Sequence, residues 1–574
     1  MPPLQAGAPL VKLKVLIALG AFLLAGCGSP ADEVKPTPAA DDGTIRTISS
    51  GETIGFIGEE GVMTWRGLPF AAPPVGELRW RAPRDPAPWE GRRDARDYAS
   101  ICPQLINPFN ASEGGKIGQL QGSEDCLYLN VYAPAGAGAG APLPVMVWIH
   151  GGGNVWGSAK QFDPSSLVAN ENVIVVSVQY RLGPVGWFAS EAIRNAAETA
   201  DDASANFGTL DLVQALKWVK QNIAAFGGDP DLVTIFGESA GGQNVATLLA
   251  SPLAKGLFQR AIIQSGLFDS TPLAKAESGT DAENPASKIA ERTGAATAGA
   301  LRALSLEALY GAYQLDEFGY LNFPNVINDG VALPLEGLRA ALATPGGFNS
   351  VPVISGTNRD EMKLFQVVDP RLVTNWFGVL PVAKDQKFYD RLSYYQSRLW
   401  RIRSVDEPLS AMAAAGNDDL YAYRFDWDEG GRFLIADLKK LLGASHGMEI
   451  PFVFDRFELL GRLDPVMFEK KTSKDREKLA RAMGGYWAAF AKGGAPGAAG
   501  GPDWPRWSDK GGSLMRLDTG EGAPSPLVGA DSIDALIADL KSDAALNPDQ
   551  RRIVAGALSV WLPGRAADFE AAAK

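Results

Sequence analysis

LVTIFGESAGGQNVATLLA, residues 232–250, decides how this 574-residue chain is read. A short apolar, β-branched run ends at Gly237, a helix-like segment begins near Ala240, and Ser239 stands between them. The pattern Gly-x-Ser-x-Gly alone is a weak signal, because a chain with 64 glycines supplies it readily by chance. Its context makes it specific. A sharp strand-to-helix turn leaves no room for side chains at its flanks and lifts the serine hydroxyl above the sheet edge. The helix that follows turns its positive end toward any negative charge developing at that serine.

The same strand signature recurs outward from this stretch, at residues 144–150 (PVMVWIH), 173–180 (VIVVSVQY), 261–264 (AIIQ), 351–355 (VPVIS) and 420–425 (LYAYRF). None of these runs alternates polar with apolar residues, so both faces are predicted to be covered, as in central strands of a helix-flanked sheet. Residues 210–225 carry a helical pattern in which Leu212, Val213, Leu216, Val219 and Ile223 share one face. Strand alternating with helix predicts an α/β fold with a large, mostly parallel sheet covered by helices on both faces.

His150-Gly151-Gly152-Gly153 follows the strand at 144–150. Glycines let the backbone approach a substrate so that amide N–H groups face an oxyanion. With His150 inside that motif, His446 is the one histidine left of two. A serine near neutral pH needs a base, and His446 lies in the loop-like segment 443–447 after a strand. The third member is expected to be a carboxylate after a strand, between serine and histidine in the chain. Asp360 and Glu361 both qualify by position, and spacing does not choose between them.

Composition narrows the function classes. A net charge of −12 argues against nucleic acid as a partner. Two scattered histidines and no Cys-x-x-Cys pair argue against zinc, and neither a calcium loop nor a phosphate-binding Gly-rich loop is present. No cofactor and no metal are therefore expected.

The N-terminus reads as an address. Lys12 and Lys14 precede an apolar run from Val15 to Leu24, too short for a comfortable membrane span, and Leu24-Ala25-Gly26-Cys27 follows. The box is similar to that of bacterial lipoproteins, in which the cysteine is lipidated and becomes the new first residue. On that reading residues 1–26 are a signal peptide, Cys27 carries the lipid that holds the protein to a membrane, and 27–43 form a tether. Gly28 after the cysteine suggests, by the same resemblance, sorting to an outer membrane, with the enzyme periplasmic or at the cell surface. Export permits a disulfide, and Cys102 and Cys126 are the pair that remains. A hydrolase domain is expected over 44–530, followed by a helical extension over 531–574 (SIDALIADL, then RRIVAGALSVWL) whose role the sequence does not explain. It assigns no oligomeric state.

These residues resemble a known family, the type-B carboxylesterases (carboxylesterases and cholinesterases) of α/β-hydrolase fold. The resemblance covers most of residues 44–510. It includes Arg66-Gly67-Leu68-Pro69-Phe70-Ala71-Ala72-Pro73-Pro74, Ser123-Glu124-Asp125-Cys126-Leu127-Tyr128-Leu129-Asn130 and Phe226-Gly227-Gly228-Asp229-Pro230 leading into the serine turn. It implies a serine ester hydrolase acting through an acyl-enzyme on a small-molecule ester. Its triad would fall on Ser239, Glu361 and His446, its oxyanion donors on the N–H groups of Gly152, Gly153 and Ala240, and its acid-supporting serine on Ser265. The family's disulfide corresponds to Cys102–Cys126. Two departures bear on substrate. Cholinesterases carry a tryptophan for the choline cation in the loop closed by this disulfide, whereas residues 103–125 hold none, which argues against a choline ester. Asn154 follows the glycine triplet where many relatives have Phe, which is expected to alter the wall beside the oxyanion hole.

Overall fold

The computed structural model describes residues 36–110, 115–316, 319–376, 380–498, 501–508, 511–520 and 524–574. Cys27, the signal segment and the first part of the tether lie outside them.

An eleven-stranded sheet forms the centre. Its strands in chain order are β1 (Phe56–Ile57), β2 (Met63–Pro69), β3 (Tyr128–Ala133), β4 (Leu143–Ile149), β5 (Ile174–Val178) and β6 (Gly228–Glu238), then β7 (Arg260–Gln264), β8 (Val353–Asn358), β9 (Leu420–Phe425), β10 (Leu514–Leu517) and β11 (Ser525–Leu527). Across the sheet they run β11-β10-β9-β8-β7-β6-β4-β5-β3-β2-β1. Strands β4 to β10 are mutually parallel, and antiparallel strands close both edges. This is the α/β-hydrolase fold.

The unbroken apolar runs are explained by two cores, one per face. Along β4, Val145, Val147 and Ile149 enter one core, while Met146 and Trp148 enter the other. Strand β5 repeats the division, with Ile174, Val176 and Val178 on the first side and Val175 on the second. Helices α1 (Phe207–Asn222) and α2 (Ala240–Ala250) cover the first face, and α3 (Gln386–Arg401) and α4 (Ser473–Gly493) follow in the chain. Leu479, Met483, Trp487 and Phe490 of α4 fill the second core. Each strand residue thus buries its side chain on one side or the other, which is why alternation is absent.

Two sequence expectations shift. Helix α1 starts at Phe207 and turns 3₁₀ at Ile223. It is buried nearly all round rather than along one stripe, because Asp211, on its other side, takes two hydrogen bonds from the buried Arg181 guanidinium and one from the Arg181 N–H. Strand β8 runs past the predicted Ser355 to Asn358. The turn-like triplet Gly356-Thr357-Asn358 stays in the sheet because β9 offers Tyr423, Arg424 and Phe425 as register partners. Gly356 is needed there, since a Cβ would fall 2.1 Å from the Tyr423 ring.

Cys102 and Cys126 form a disulfide with Cα atoms 5.1 Å apart. The 531–574 segment forms α5 (Ile533–Ser542), α6 (Pro548–Trp561) and α7 (Ala566–Ala572). These helices build a separate small core with Leu392, Tyr395 and Leu399 of α3. Among the described residues no helix is long and apolar enough to cross a membrane.

Candidate active site

Gly152, Ser239, Ser265 and Glu361 follow the carboxyl ends of β4, β6, β7 and β8, where an open α/β sheet offers a crevice. Ser239 follows β6 directly and holds φ 58°, ψ −123°, a backbone state that costs a non-glycine residue about 1–3 kcal/mol. Two hydrogen bonds hold it there: its N–H donates to Gln264 O at 2.8 Å, and its carbonyl accepts from Gln243 N at 2.9 Å. The flanking glycines are required by β4. A Cβ on Gly237 would lie 2.6 Å from the Ile149 carbonyl oxygen, and one on Gly241 only 2.0 Å from it. The serine turn is therefore pressed against the strand that carries the glycine triplet.

The glycine loop lies on the other side of Ser239. A Cβ on Gly151 would stand 3.1 Å from Ser239 Cβ, and Gly152 and Gly153 have φ 96° and 63°. Among the described residues no backbone acceptor takes the N–H of Gly152, Gly153 or Ala240. His150 is structural, as its place in the motif suggested. It is fully buried, stacks on Tyr180 at 4.5 Å, and is held neutral by burial, its pKa lowered to about 4. Asn154 follows the triplet. Its side chain does not reach the cavity wall; it is buried at φ 60° and accepts from Asn244 Nδ2 at 2.9 Å.

The structure separates the two candidate carboxylates. Glu361 is fully buried: its Oε2 pairs with His446 Nδ1 at 2.7 Å, and its Oε1 accepts from Ser265 Oγ at 2.6 Å and Asn358 N at 2.8 Å. Asp360 is tied up elsewhere, by Arg359 at 2.8 Å, Lys363 at 3.7 Å and the Ala444 N–H at 3.2 Å. Ser265, itself at φ 52°, thus touches the acid as the resemblance implied.

One residue at this site went unread in the sequence. Glu238, a variable position of Gly-x-Ser-x-Gly, is buried with Oε1 3.1 Å from His446 Nε2. Nε2 is the imidazole nitrogen that Glu361 leaves free to face the cavity side of the ring. Burial pushes the Glu238 carboxyl up, to about 8, with Glu449 and Glu361 adding to the rise and His446 opposing it. Burial alone would depress His446, but the Glu238 and Glu361 carboxylates outweigh it and raise the imidazole to about 9. The 3.1 Å contact couples the two groups, so the titration of either belongs to both. A third carboxylate, Glu449, is buried behind them and accepts from Asn358 Nδ2 at 2.6 Å and Gln264 Nε2 at 3.2 Å.

The sign of the consequence follows. With His446 as the base, a protonated Nε2 cannot accept a serine proton, so kcat/KM should fall as pH falls through the imidazole pKa. The acid limb of the parent is expected above the ordinary histidine value of about 6.5. Glu238→Gln removes the carboxyl that faces Nε2 and should move that limb about 1–3 pH units downward. A stopped-time assay of kcat/KM across pH 5–10 checks it, and an unmoved limb would show that Glu238 does not control the imidazole.

Ser239, His446, Glu238, Gly152 and Gly153 line one cavity of about 1120 Å³. Phe109, carried on the disulfide loop, meets Trp156 at 6.3 Å, Tyr320 at 5.8 Å and Phe365 at 6.2 Å, forming its aromatic wall. Trp156 comes from the glycine loop, so the lack of tryptophan in 103–125 does not leave the cavity without an indole. A second arm is aliphatic, with Leu438, Leu442, Met448, Leu459, Leu460 and Leu463. Among the described residues no group of three or more His, Cys, Asp or Glu is gathered as a metal would need.

A family model described as the carboxylesterase family matches residues 42–393 and 404–527. Carboxylesterase 1E of Mus musculus is 35% identical over 549 residues, spanning 87% of this chain and 93% of that protein. Para-nitrobenzyl esterase of Bacillus subtilis (strain 168) is 35% identical over 483 residues, spanning 80% and 92%. A solved structure of PNB esterase has a TM-score of 0.64 at 32% identity, covering 84% of this chain and 97% of that one.

Proposed function

The chain belongs to the carboxylesterase family and is a serine carboxylic-ester hydrolase; from that premise we propose that Ser239 is its nucleophile, His446 its base and Glu361 the acid that orients the base. The observation that carries the assignment is the 2.7 Å pair between His446 Nδ1 and Glu361, set in the same cavity as a serine on a strained strand-to-helix turn.

The reaction proceeds in two halves. Ser239 Oγ attacks the ester carbonyl carbon while its proton passes to His446 Nε2, and the C=O electron pair moves onto oxygen. The N–H groups of Gly152, Gly153 and Ala240 receive that oxyanion, reinforced by the N-terminal end of α2. As the tetrahedral species collapses, the C–O bond to the alcohol breaks and His446 returns the proton to the leaving oxygen. Water then repeats the sequence on the acyl-enzyme, giving the carboxylic acid and free Ser239. Glu361 holds Nδ1–H throughout and stabilises the imidazolium.

The substrate we propose is a neutral ester of small to medium size, and not a choline ester. The aliphatic arm offers apolar surface to an acyl or alkyl chain, and the aromatic wall accepts a flat group. Hydrolysis of p-nitrophenyl esters from acetyl to dodecanoyl, beside butyrylcholine, tests this. The expected profile peaks at short to medium chains and leaves butyrylcholine poor. A folded enzyme silent across the series, or one preferring butyrylcholine, overturns the substrate reading.

We also propose that the domain spans 44–530, with the helical extension after it, and that Cys27 is lipidated and tethers it to a bacterial membrane, from the basic flank, apolar run and Leu24-Ala25-Gly26-Cys27. Cys27→Ser should move the protein from the membrane to the soluble fraction.

A further inference from the structure

The helical tail does more than cover the domain. We propose that Trp561, at the end of α6, is a positioning residue for His446, acting through Trp400. The inference rests on the reading of His446 as the base.

Trp400 stands one residue before the end of α3 and is almost wholly buried. Its ring meets the His446 imidazole at 4.8 Å and the Phe365 ring at 6.0 Å. Its Nε1–H donates to Ser265 O at 3.2 Å, and Ser265 in turn donates from Oγ to Glu361. One indole therefore touches the base directly and the acid through a single intermediary. The contact that comes from outside this group is Trp561, whose ring lies 5.2 Å from that of Trp400.

Trp561 is itself fixed. Arg403, one turn beyond Trp400, donates to the Trp561 carbonyl oxygen and to Asp269. The chain between them passes through a π-helical turn, Ile402–Asp406, a deviation that α-helices show often at functional sites. The tail is anchored to α3 by charged groups as well as by its apolar core: Arg398 pairs with Asp531 at 2.8 Å, and Tyr395 OH donates to Asp543 at 2.9 Å. Helix α3 thus carries the tail against one set of its residues and Trp400 against the triad with another. The family match ends at residue 527, so Trp561 lies outside the matched residues.

The physical effect expected is on orientation. The imidazole must present Nε2 to Ser239 while Nδ1 keeps its bond to Glu361, and a shift of about 1 Å in such a group can cost up to 10²-fold in rate. Removing the Trp561 ring opens space beside Trp400 and lets that indole, and the imidazole resting on it, move. Such a change is expected mainly in kcat, since Trp400 meets the imidazole directly and, of the cavity's aromatic wall, Phe365 alone makes a ring contact with it.

The test compares full-length Trp561→Ala, Trp561→Phe and Leu540→Ala, with kcat and KM for p-nitrophenyl butyrate and a thermal melt for each. Leu540 is buried in the tail core on α5, a different helix from Trp561, and reports on loss of tail packing alone. Trp561→Ala is expected to lose about tenfold in kcat with KM within about twofold. Trp561→Phe restores most of it, and Leu540→Ala melts earlier with kcat unchanged. Parent kcat in Trp561→Ala, or an equal kcat loss in Leu540→Ala, overturns the proposal. Its failure is separable from that of the base assignment: parent kcat in Trp561→Ala beside an inactive His446→Ala overturns the proposal alone, whereas parent activity in His446→Ala overturns the base assignment itself.

Discussion

Ser239→Ala lowers kcat by about 10⁵- to 10⁶-fold while the protein folds and binds ester as before. The size follows from what is removed. Without Oγ no acyl-enzyme forms, and the residual reaction has only bound water, the oxyanion donors and orientation to draw on. The fold is left intact because the strained backbone is held by the Gln264 and Gln243 contacts and by the two glycines against Ile149, none of which uses the hydroxyl. Alanine in that φ region is no easier than serine, so the melting temperature should change by only a few degrees. The measurement is a p-nitrophenyl butyrate assay with intact-protein mass spectrometry under quench. The parent should show an acyl adduct that the variant lacks. More than about one per cent of parent kcat in pure Ser239→Ala would remove Ser239 from its role.

The sequence made the fold and the strand-serine-helix turn legible because both are written in contiguous residues. Unbroken apolar strands imply two covered faces, and the structure divides Val145, Met146, Val147 and Trp148 alternately between two cores. Gly237 and Gly241 imply a crowded turn, and Ile149 is what crowds it. Legibility fell where a role depends on residues far apart in the chain. Asp360 and Glu361 are adjacent and chemically alike, and they differ only in facing Arg359 and Lys363 or His446. Family resemblance could choose between them; spacing could not. Glu238 hid in one of the two positions of the motif that carry no pattern. The sequence put Asn154 after the glycines without saying where its amide goes; its left-handed backbone turns it into a buried amide network. The contact of Trp561 with Trp400 joins residues on separate helices, and no local pattern announces it.

Glu361→Gln is the second large effect, about 10⁴-fold in kcat, and it arises although size and hydrogen-bonding capacity are nearly conserved. The hydrogen bonds dictate how the new amide must sit. Two donors, Ser265 Oγ–H and Asn358 N–H, converge on Oε1, so the amide oxygen is drawn to that position. The NH₂ group is then left facing His446 Nδ1, where the carboxylate oxygen had been. Nδ1 becomes an acceptor, the ring proton moves to Nε2, and the nitrogen that should take the serine proton already carries one. Loss of the nearby negative charge also removes support for the imidazolium formed during attack. Asp360→Asn provides the contrast. That carboxylate serves Arg359, Lys363 and the Ala444 N–H, so its loss should cost stability and change kcat by no more than a few-fold. Measuring kcat and melting temperature for both variants separates the roles. A Glu361→Gln enzyme within a hundredfold of the parent, or an Asp360→Asn enzyme equally impaired, would take the acid's role away from Glu361.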